Sequence, residues 1–202
     1  MTDIPETRSC KDEILGMSQE PLRQVLHPGR HITLFARNGW EFVSRNTHRP
    51  AVGIVAITDD ERIVLVEQYR PPIGRRVVEL PAGLAGDVVG QEGESLLIAA
   101  QRELLEETGY AASRWTELGT GYSSPGLTDE SIVLFLAEGL QRREAGGGDG
   151  TESITIHEVP LSEVNEWLAA HGVAVDLKLW AGLFASQEMR RKRVDQSSNM
   201  KH

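Results

Sequence analysis

Two short apolar runs dominate the middle of the chain, AVGIVAI from Ala51 and RIVLVEQ ending at Gln68. The charged segment 58–61 separates them. Apolar runs on either side of a polar turn are typical of a β-hairpin. The pattern therefore predicts two antiparallel strands that form part of the scaffold.

Strand and helix patterns alternate along the remainder of the chain. Residues 76–80 predict a strand, and a helical pattern then covers 95–108 and ends at Gly109. Further strands are predicted at 131–137 and 153–159, and further helices at 161–170 and 175–189. Together these elements predict an α/β fold with a mixed sheet.

The chain ends and one internal segment lack such patterns. Residues 1–25 are polar without a sustained period, which predicts a disordered lead-in. Four glycines in EAGGGDGTE, residues 144–152, favour a flexible loop. The basic run RRKR at 190–193 is interpreted as a helix end, and 195–202 as a solvated tail.

Composition narrows the class of protein. The length of 202 residues fits one domain of ordinary size, and 40% hydrophobic with 25% charged residues is typical of a globular chain. A formal net charge of -9 argues against a broad surface for nucleic-acid phosphates. An anionic ligand would therefore need a local cation.

Cysteine use and hydropathy address the compartment. Cys10 is the only cysteine, so the chain forms neither an internal disulfide nor a thiolate zinc site, which favours a reducing cytoplasm. The first residues carry acids, and no run of about eighteen apolar residues occurs. We therefore expect a soluble cytoplasmic protein without a membrane partner.

The predicted helix 95–108 carries three acids close together. At about 100° per residue, Glu103, Glu106 and Glu107 share one face. One interpretation is a solvated acidic face with Arg102 and Glu106 paired. The acids lie at the helix carboxyl end, where the macrodipole disfavours them, so a compensating cation is the other interpretation. Oxygen ligands suit Mg²⁺, whereas the six histidines are scattered along the sequence and predict no competing cluster.

These residues resemble the Nudix hydrolases. The family box reads Gly, five residues, Glu, seven residues, then Arg-Glu-apolar-any-Glu-Glu-any-Gly-apolar. Glu94 is followed by seven residues and then by RELLEETGY at 102–110, which matches the second half throughout. In the first half Val88 stands at the glycine position and Gly83 lies five residues earlier, which we interpret as a five-residue insertion in a surface loop.

The resemblance implies an α/β/α sandwich over roughly 51–194, preceded by an N-terminal arm at 26–50. It implies Glu103 and Glu107 as main ligands of Mg²⁺, with Mn²⁺ as a substitute. Glu106 would be an additional or outer ligand and a catalytic group, and the Ala82 carbonyl a further ligand. Arg102 and Glu94 would form a supporting ion pair.

Residues outside the box are similar to the ADP-ribose and ADP-sugar pyrophosphatases. The similar segments are EQYRPPIG at 67–74, VVELPAG at 77–83 and Ser124-Pro125-Gly126, with Pro125 fifteen residues after Tyr110. This implies hydrolysis of ADP-ribose or a related ADP-sugar to AMP and a sugar phosphate. The alternatives are a hydrolase for GDP-mannose or another nucleotide sugar, and a Nudix-fold module that binds such a nucleotide without cleaving it.

The segment WEFVSR at 40–45 resembles one that crosses a dimer interface in this subfamily. The resemblance implies a homodimer with exchange of N-terminal arms, in which Trp40 stacks on adenine and Glu41 or Arg45 contacts base or ribose. The alternative for Trp40 is a half-buried anchor of an N-terminal sheet.

Two further residues are candidates for the reaction itself. Arg70 offers a guanidinium for phosphate or ribose, or else an ion pair with Glu67 or Glu79. Glu152 follows the glycine-rich loop, where the resemblance places a general base, with Asp149 as the alternative. Both acids could instead be solvated loop residues.

Overall fold

A computed structural model describes residues 22–86, 90, 93–148 and 153–199. The described residues form eleven strands and three helices. The strands are β1 Gln24–Pro28, β2 Ile32–Arg37, β3 Trp40–Arg45, β4 Ala51–Ile57, β5 Arg62–Arg70, β6 Arg75–Glu79, β7 Ala82–Leu84, β8 Tyr110–Tyr122, β9 Ser131–Arg142, β10 Thr155–Pro160 and β11 Ala174–Val175. The helices are α1 Leu96–Thr108, α2 Val164–His171 and α3 Leu177–Asn199.

The central sheet is mixed, as predicted. Its strand order is β11-β6-β5-β4-β9-β8, with β10 paired to β5 and β7 paired to β4. The β4–β9 and β11–β6 pairs are parallel, and the other pairs are antiparallel. The predicted hairpin is the β4–β5 pair, in which Ala56 lies opposite Val64.

Helices cover both faces of this sheet. Successive side chains of a strand point to opposite faces, so β5 contributes to two apolar cores. Leu65 packs in one core with Leu168 of α2 and Leu179 of α3. Val64 packs in the other core with Leu104 of α1. The expected α/β/α sandwich is confirmed.

Helix α1 begins and ends where its sequence signals predict. The hydroxyl of Ser95 accepts a hydrogen bond from the Ile98 amide at 3.3 Å, as an N-cap does. Gly109 closes the helix with φ 74°, a conformation that favours glycine. A Cβ there would also lie 2.2 Å from the Glu144 carbonyl oxygen.

Strand β8 was missed by sequence reasoning. It spans thirteen residues and pairs with β9 at the end of the strand order. Its register shifts between Glu117 and Gly119, and most of its side chains are partly or fully exposed, so its sequence shows no clean alternation. The same pairing extends β9 to Arg142, beyond the predicted end at 137.

Helix α3 continues ten residues past its predicted end at 189, through Asn199. Arg193 anchors this extension by donating to Glu138 at 2.6 Å and to Thr116. The segment predicted as a tail, 195–202, is therefore helical as far as Asn199, with 195 and 196 exposed, and 200–202 lie outside the described residues.

The N-terminal strands form a separate antiparallel sheet in the order β1-β2-β3. All five residues of β1 are exposed. The Val43 amide donates to the Leu127 carbonyl at 2.9 Å, which joins this sheet to the segment after β8. Of the predicted disordered lead-in 1–25, residues 1–21 lie outside the described part, and β1 already begins at Gln24.

In the part of the chain that the structure describes, no helix combines the length and apolar character needed to cross a bilayer.

Candidate active site

A cavity of about 290 Å³ lies between α1, β7 and β5. Its lining residues are Arg45, Ala51, Val52, Gln68, Arg70, Ala82, Gly83, Leu84, Glu103, Glu107, Glu130, Ile132 and Lys178. This cavity brings the acids of the predicted helix face to the backbone of 82–84. It therefore contains the expected ligands Ala82, Glu103 and Glu107 together.

Glu103 and Glu107 are buried on α1, with 8% and 5% of their surface exposed. A Cβ on Gly83 would lie 1.9 Å from the Glu103 carboxylate, so only glycine leaves room for this side chain. The Ala82 amide donates to Oε2 of Glu107 at 3.0 Å. Strand β7 therefore orients both carboxylates despite the longer loop that follows it.

Arg102 holds the neighbouring acids together. Its guanidinium donates to Glu94 at 3.1 Å, to Glu103 at 2.8 Å and to Glu106 at 3.0 Å. It also donates to the Leu84 carbonyl at 3.1 Å. The implied Arg102–Glu94 pair is present, and so is the alternative Arg102–Glu106 pair.

These contacts shift the pKa values of Glu94 and Arg102. Hydrogen bonding from Arg102 lowers the pKa of Glu94. Burial alone would lower the pKa of Arg102, but its hydrogen bonds to the carboxylates and their negative charge raise it overall. Glu106 differs from its neighbours because 44% of its side chain is exposed.

The chemistry of this donor set fits a hard divalent cation. Two buried carboxylates lie on adjacent turns of one helix, and a cation between them would relieve their mutual repulsion. The side-chain donors that Glu103 and Glu107 bring to the cavity are carboxylate oxygens, which suit Mg²⁺. Glu106 is not among the residues that line the cavity, and its side chain is more exposed.

The basic side chains of the cavity have carboxylate partners. Arg70 donates to both oxygens of Glu79 at 2.7 and 2.6 Å, which is the alternative given above. Arg45 pairs with Glu130 at 2.5 Å. Both guanidiniums also line the cavity, so their contact with substrate stays a prediction.

Sequence reasoning missed Gln68 and Lys178 as lining residues. Gln68 is only 5% exposed although it is polar, and it stands next to an apolar run on β5. A polar side chain within such a run was the available signal. Lys178 is brought to the cavity by α3, and nothing in its local sequence marks it.

A second cavity, of about 440 Å³, lies beside the N-terminal sheet. It brings Trp40 and Phe42 of β3 together with Tyr122 and Pro125. Trp40 is 66% exposed, so it is not the half-buried anchor of the alternative interpretation. Glu41 is exposed on the same strand.

The glycine-rich segment is a loop in its described part, 144–148, as predicted, and it contacts the end of α1. The Gly147 amide donates to the Glu107 carbonyl at 2.9 Å, and the Gly148 amide donates to the Glu106 carbonyl at 3.0 Å. These bonds satisfy carbonyls at the helix end. Asp149 and Glu152, the two candidates for the base, lie outside the described residues.

The expectation of no histidine cluster is wrong. His157 and His171 both contact the carboxylate of Glu67 on the other face of the sheet. The three residues come from β10, α2 and β5, so the fold alone brings them together.

Sequence comparisons relate the chain to one family and to several known proteins. The NUDIX domain profile matches residues 47–179. Over 122 residues the chain is 40% identical to a methanol dehydrogenase activator of Bacillus methanolicus, covering 60% of this chain and 63% of that protein. Over 120 residues it is 40% identical to an ADP-ribose pyrophosphatase of Bacillus subtilis, covering 57% and 60%. The chain thus spans about three fifths of the length of these relatives.

A solved structure described as an ADP compounds hydrolase has the same fold. Its TM-score is 0.65 at 24% identity, over 87% of this chain and 96% of that chain. The family profile covers well over half of the residues, and Glu103 and Glu107 line one cavity. The chain therefore belongs to the Nudix family.

Proposed function

We propose that this protein hydrolyses the pyrophosphate of ADP-ribose or a related ADP-sugar in a reaction that depends on a divalent cation. The products are AMP and a sugar phosphate. One observation carries the proposal: the buried carboxylates of Glu103, which lies against Gly83, and of Glu107, which accepts from the Ala82 amide, share a cavity that two arginines also line. A similar enzyme, from Bacillus subtilis, is named ADP-ribose pyrophosphatase.

Glu103, Glu107 and the Ala82 carbonyl are the proposed inner ligands of Mg²⁺, for which Mn²⁺ substitutes. Glu106 is the proposed outer ligand. When held by these residues, such an ion would neutralise charge on the pyrophosphate and lower the pKa of the attacking water. Arg102 fixes the rotamers of Glu103 and Glu106 through the hydrogen bonds described above. Arg102 therefore contributes to catalysis by positioning these carboxylates.

Water provides the oxygen that forms the new bond to phosphorus. The bond between that phosphorus and the bridging oxygen breaks, and the bridging oxygen leaves with the other phosphate. A base removes the proton from the water, and we assign this role to Glu152, with Asp149 as the alternative. The bonds of Gly147 and Gly148 to α1 support this assignment because they hold the preceding segment beside the ligand helix.

The aromatic cavity is the proposed site for the adenine. Trp40 offers an exposed indole face for stacking, and Pro125 and Tyr122 form the opposite part of the lining. Arg70 and Arg45 are the proposed contacts for phosphate or ribose, and Glu41 for base or ribose. GDP-mannose and other nucleotide sugars remain the alternative, because stacking does not distinguish one purine from another.

We further propose a cytoplasmic homodimer in which the arm 26–50 reaches the partner subunit, with 51–194 as the hydrolase domain. The support is the exposed apolar surface of the N-terminal sheet, which includes Val25, Ile32 and Trp40. Sedimentation of the full chain tests this part: a monomer at micromolar concentration contradicts the arm exchange.

A panel of nucleotide sugars tests the main proposal, with and without Mg²⁺ and with products identified by mass. We expect AMP and a sugar phosphate from ADP-ribose only when the cation is present. Cleavage of GDP-mannose in preference to ADP-sugars would select the alternative substrate. Tight binding of ADP-ribose without any cleavage would assign the chain to the non-catalytic modules.

A further inference from the structure

A second group of potential ligands lies away from the Nudix helix. Nε2 of His157 and Nε2 of His171 each lie 2.9 Å from Oε2 of Glu67. The three ligand atoms lie within 4.8 Å of one another. Glu67 points to the sheet face opposite α1, because its neighbour Gln68 lines the acidic cavity. This group is therefore separate from Glu103 and Glu107.

We propose that Glu67, His157 and His171 bind a divalent transition-metal ion, Zn²⁺ or a neighbour such as Co²⁺ or Ni²⁺. Two imidazoles and one carboxylate are a known zinc donor set, whereas Mg²⁺ prefers oxygen donors only. The ion fastens β10 and α2 to β5, and it leaves a fourth position for water.

The contacts around Glu67 orient it for this task. Arg76 donates to Oε1, the oxygen that the histidines do not contact. The Arg76 contact to Oε1 comes from Nε, and Nη2 of Arg76 donates to the Glu67 carbonyl at 2.8 Å and to Thr155 at 3.0 Å. Oε2 is thereby directed at both imidazoles, as partners of a metal-bound carboxylate commonly arrange.

The distances are close to those of a bound ion. Zinc lies about 2.0–2.2 Å from nitrogen and carboxylate oxygen, which in a tetrahedron separates the ligand atoms by about 3.4 Å. The present separations of 2.9 Å therefore have to widen by only about half an ångström. Imidazole side chains that are 19% and 28% exposed leave a path for the ion.

The surroundings hold the ligands in place and favour a cation. His171 is the last residue of α2, where the helix macrodipole is negative. Trp167 stacks on His171 at 4.4 Å and contacts His157 at 5.0 Å, so it supports both rings. Burial alone would raise the pKa of Glu67, but hydrogen bonds from His171, Arg76 and His157 outweigh it and lower the pKa to about 2. The carboxylate is therefore charged at neutral pH.

Co²⁺ is a suitable probe because its visible absorption reports the ligand geometry. The metal-free full chain is first saturated with excess Mg²⁺, which occupies the oxygen site, and Co²⁺ is then titrated. We expect one Co²⁺ per chain that Mg²⁺ does not displace, with the stronger absorption of a tetrahedral site. His171→Asn is expected to weaken this binding by about a hundredfold or more, since ligand loss exceeds the effect of losing an outer contact.

His27→Asn is the matched control, because His27 is exposed on β1 and contacts neither ligand group. It should bind Co²⁺ like the unmodified chain. Co²⁺ that Mg²⁺ displaces completely, or an unchanged spectrum in folded His171→Asn, overturns the proposal. If His171→Asn does not fold, X-ray absorption of the Mg²⁺-saturated unmodified chain with Zn²⁺ decides: two imidazoles support the site, and oxygen ligands alone refute it. Neither result depends on the hydrolysis proposed above.

Discussion

Two glutamate groups flank the central sheet, and their neighbours differ. On the α1 side, Glu103 and Glu107 lie beside backbone and arginine, and the residues that line their cavity include no histidine. On the α2 side, Glu67 lies beside two imidazoles. A glutamate carboxylate is therefore part of the proposed ligand group for a hard cation on one face, and another glutamate is part of the proposed ligand group for a transition metal on the other. The difference teaches that the partners of a glutamate, more than the glutamate itself, select the ion.

The strongest way to separate the two groups is to remove one charge from the α1 side. We expect Glu107→Gln to lower kcat on the order of a thousandfold, because the ion loses a ligand worth several kcal/mol in the transition state. Steady-state assays with ADP-ribose measure this, and Co²⁺ absorption should stay unchanged. Glu166→Gln, at an exposed position of α2, is the control. A folded variant with near-normal Mg²⁺-dependent turnover would refute the metal assignment.

The proposed base would act in the same reaction as the α1 carboxylates. We expect Glu152→Gln to lower kcat about a hundredfold while the Mg²⁺ requirement stays the same, because a base acts on the water and not on the ion. Asp149→Asn is the paired variant. If Asp149→Asn loses the rate and Glu152→Gln does not, the base is Asp149.

The shape of the α1 site is tested by filling the space above Gly83. A methyl group there would collide with Glu103, so Gly83→Ala should raise the Mg²⁺ concentration for half-maximal rate about tenfold, or about 1.4 kcal/mol. Gly93→Ala is the control because no atom lies within 4 Å of its Cβ position. Equal metal requirements in the two variants would show that Glu103 does not need this space.

The aromatic cavity is expected to affect binding and not the ion. Trp40→Ala should raise KM for ADP-ribose about tenfold with little change in kcat, since one stacked base contributes about 1–3 kcal/mol. Trp180→Ala, at an exposed tryptophan of α3, is the comparison. An unaltered KM would remove Trp40 from the substrate site.

The smallest expected effect concerns the α2 side without metal. The pKa of Glu67 is about 2 in the folded chain and ordinarily 4.5. Its contribution to the free energy of unfolding is therefore complete above pH 4.5 and is lost as pH falls towards about 2. Urea denaturation over this range should show the difference between the unmodified chain and Glu67→Gln becoming smaller at lower pH. A constant difference would mean that Glu67 gains no stability from its charge.

Local sequence signals were enough to predict helix α1 and the face that its acids share. Ser95 and Gly109 mark the helix ends, and the four-residue spacing of Glu103 and Glu107 places both on the same helix face. The fold class followed from the same alternation of patterns. These features depend on residues close together along the chain, which explains why they could be predicted.

Features that depend on tertiary contacts could not be predicted. Strand β8 has weak alternation because it is at the end of the sheet order, and its partner β9 specifies it. Glu67, His157 and His171 come from three elements, so no local spacing joins them. The bonds of Gly147 and Gly148 to α1 likewise arise between distant segments.

Strand β5 carries Glu67 and Gln68 as consecutive residues on opposite faces. Inserting or deleting one residue before them would turn each side chain towards the wrong layer, and both pockets would be lost together. One-residue length changes before Glu67 are therefore excluded for any descendant of this chain that retains either the α1 cavity or the Glu67 group, whereas point changes can alter one and spare the other. Directed evolution of one pocket should consequently proceed through substitutions alone in this strand.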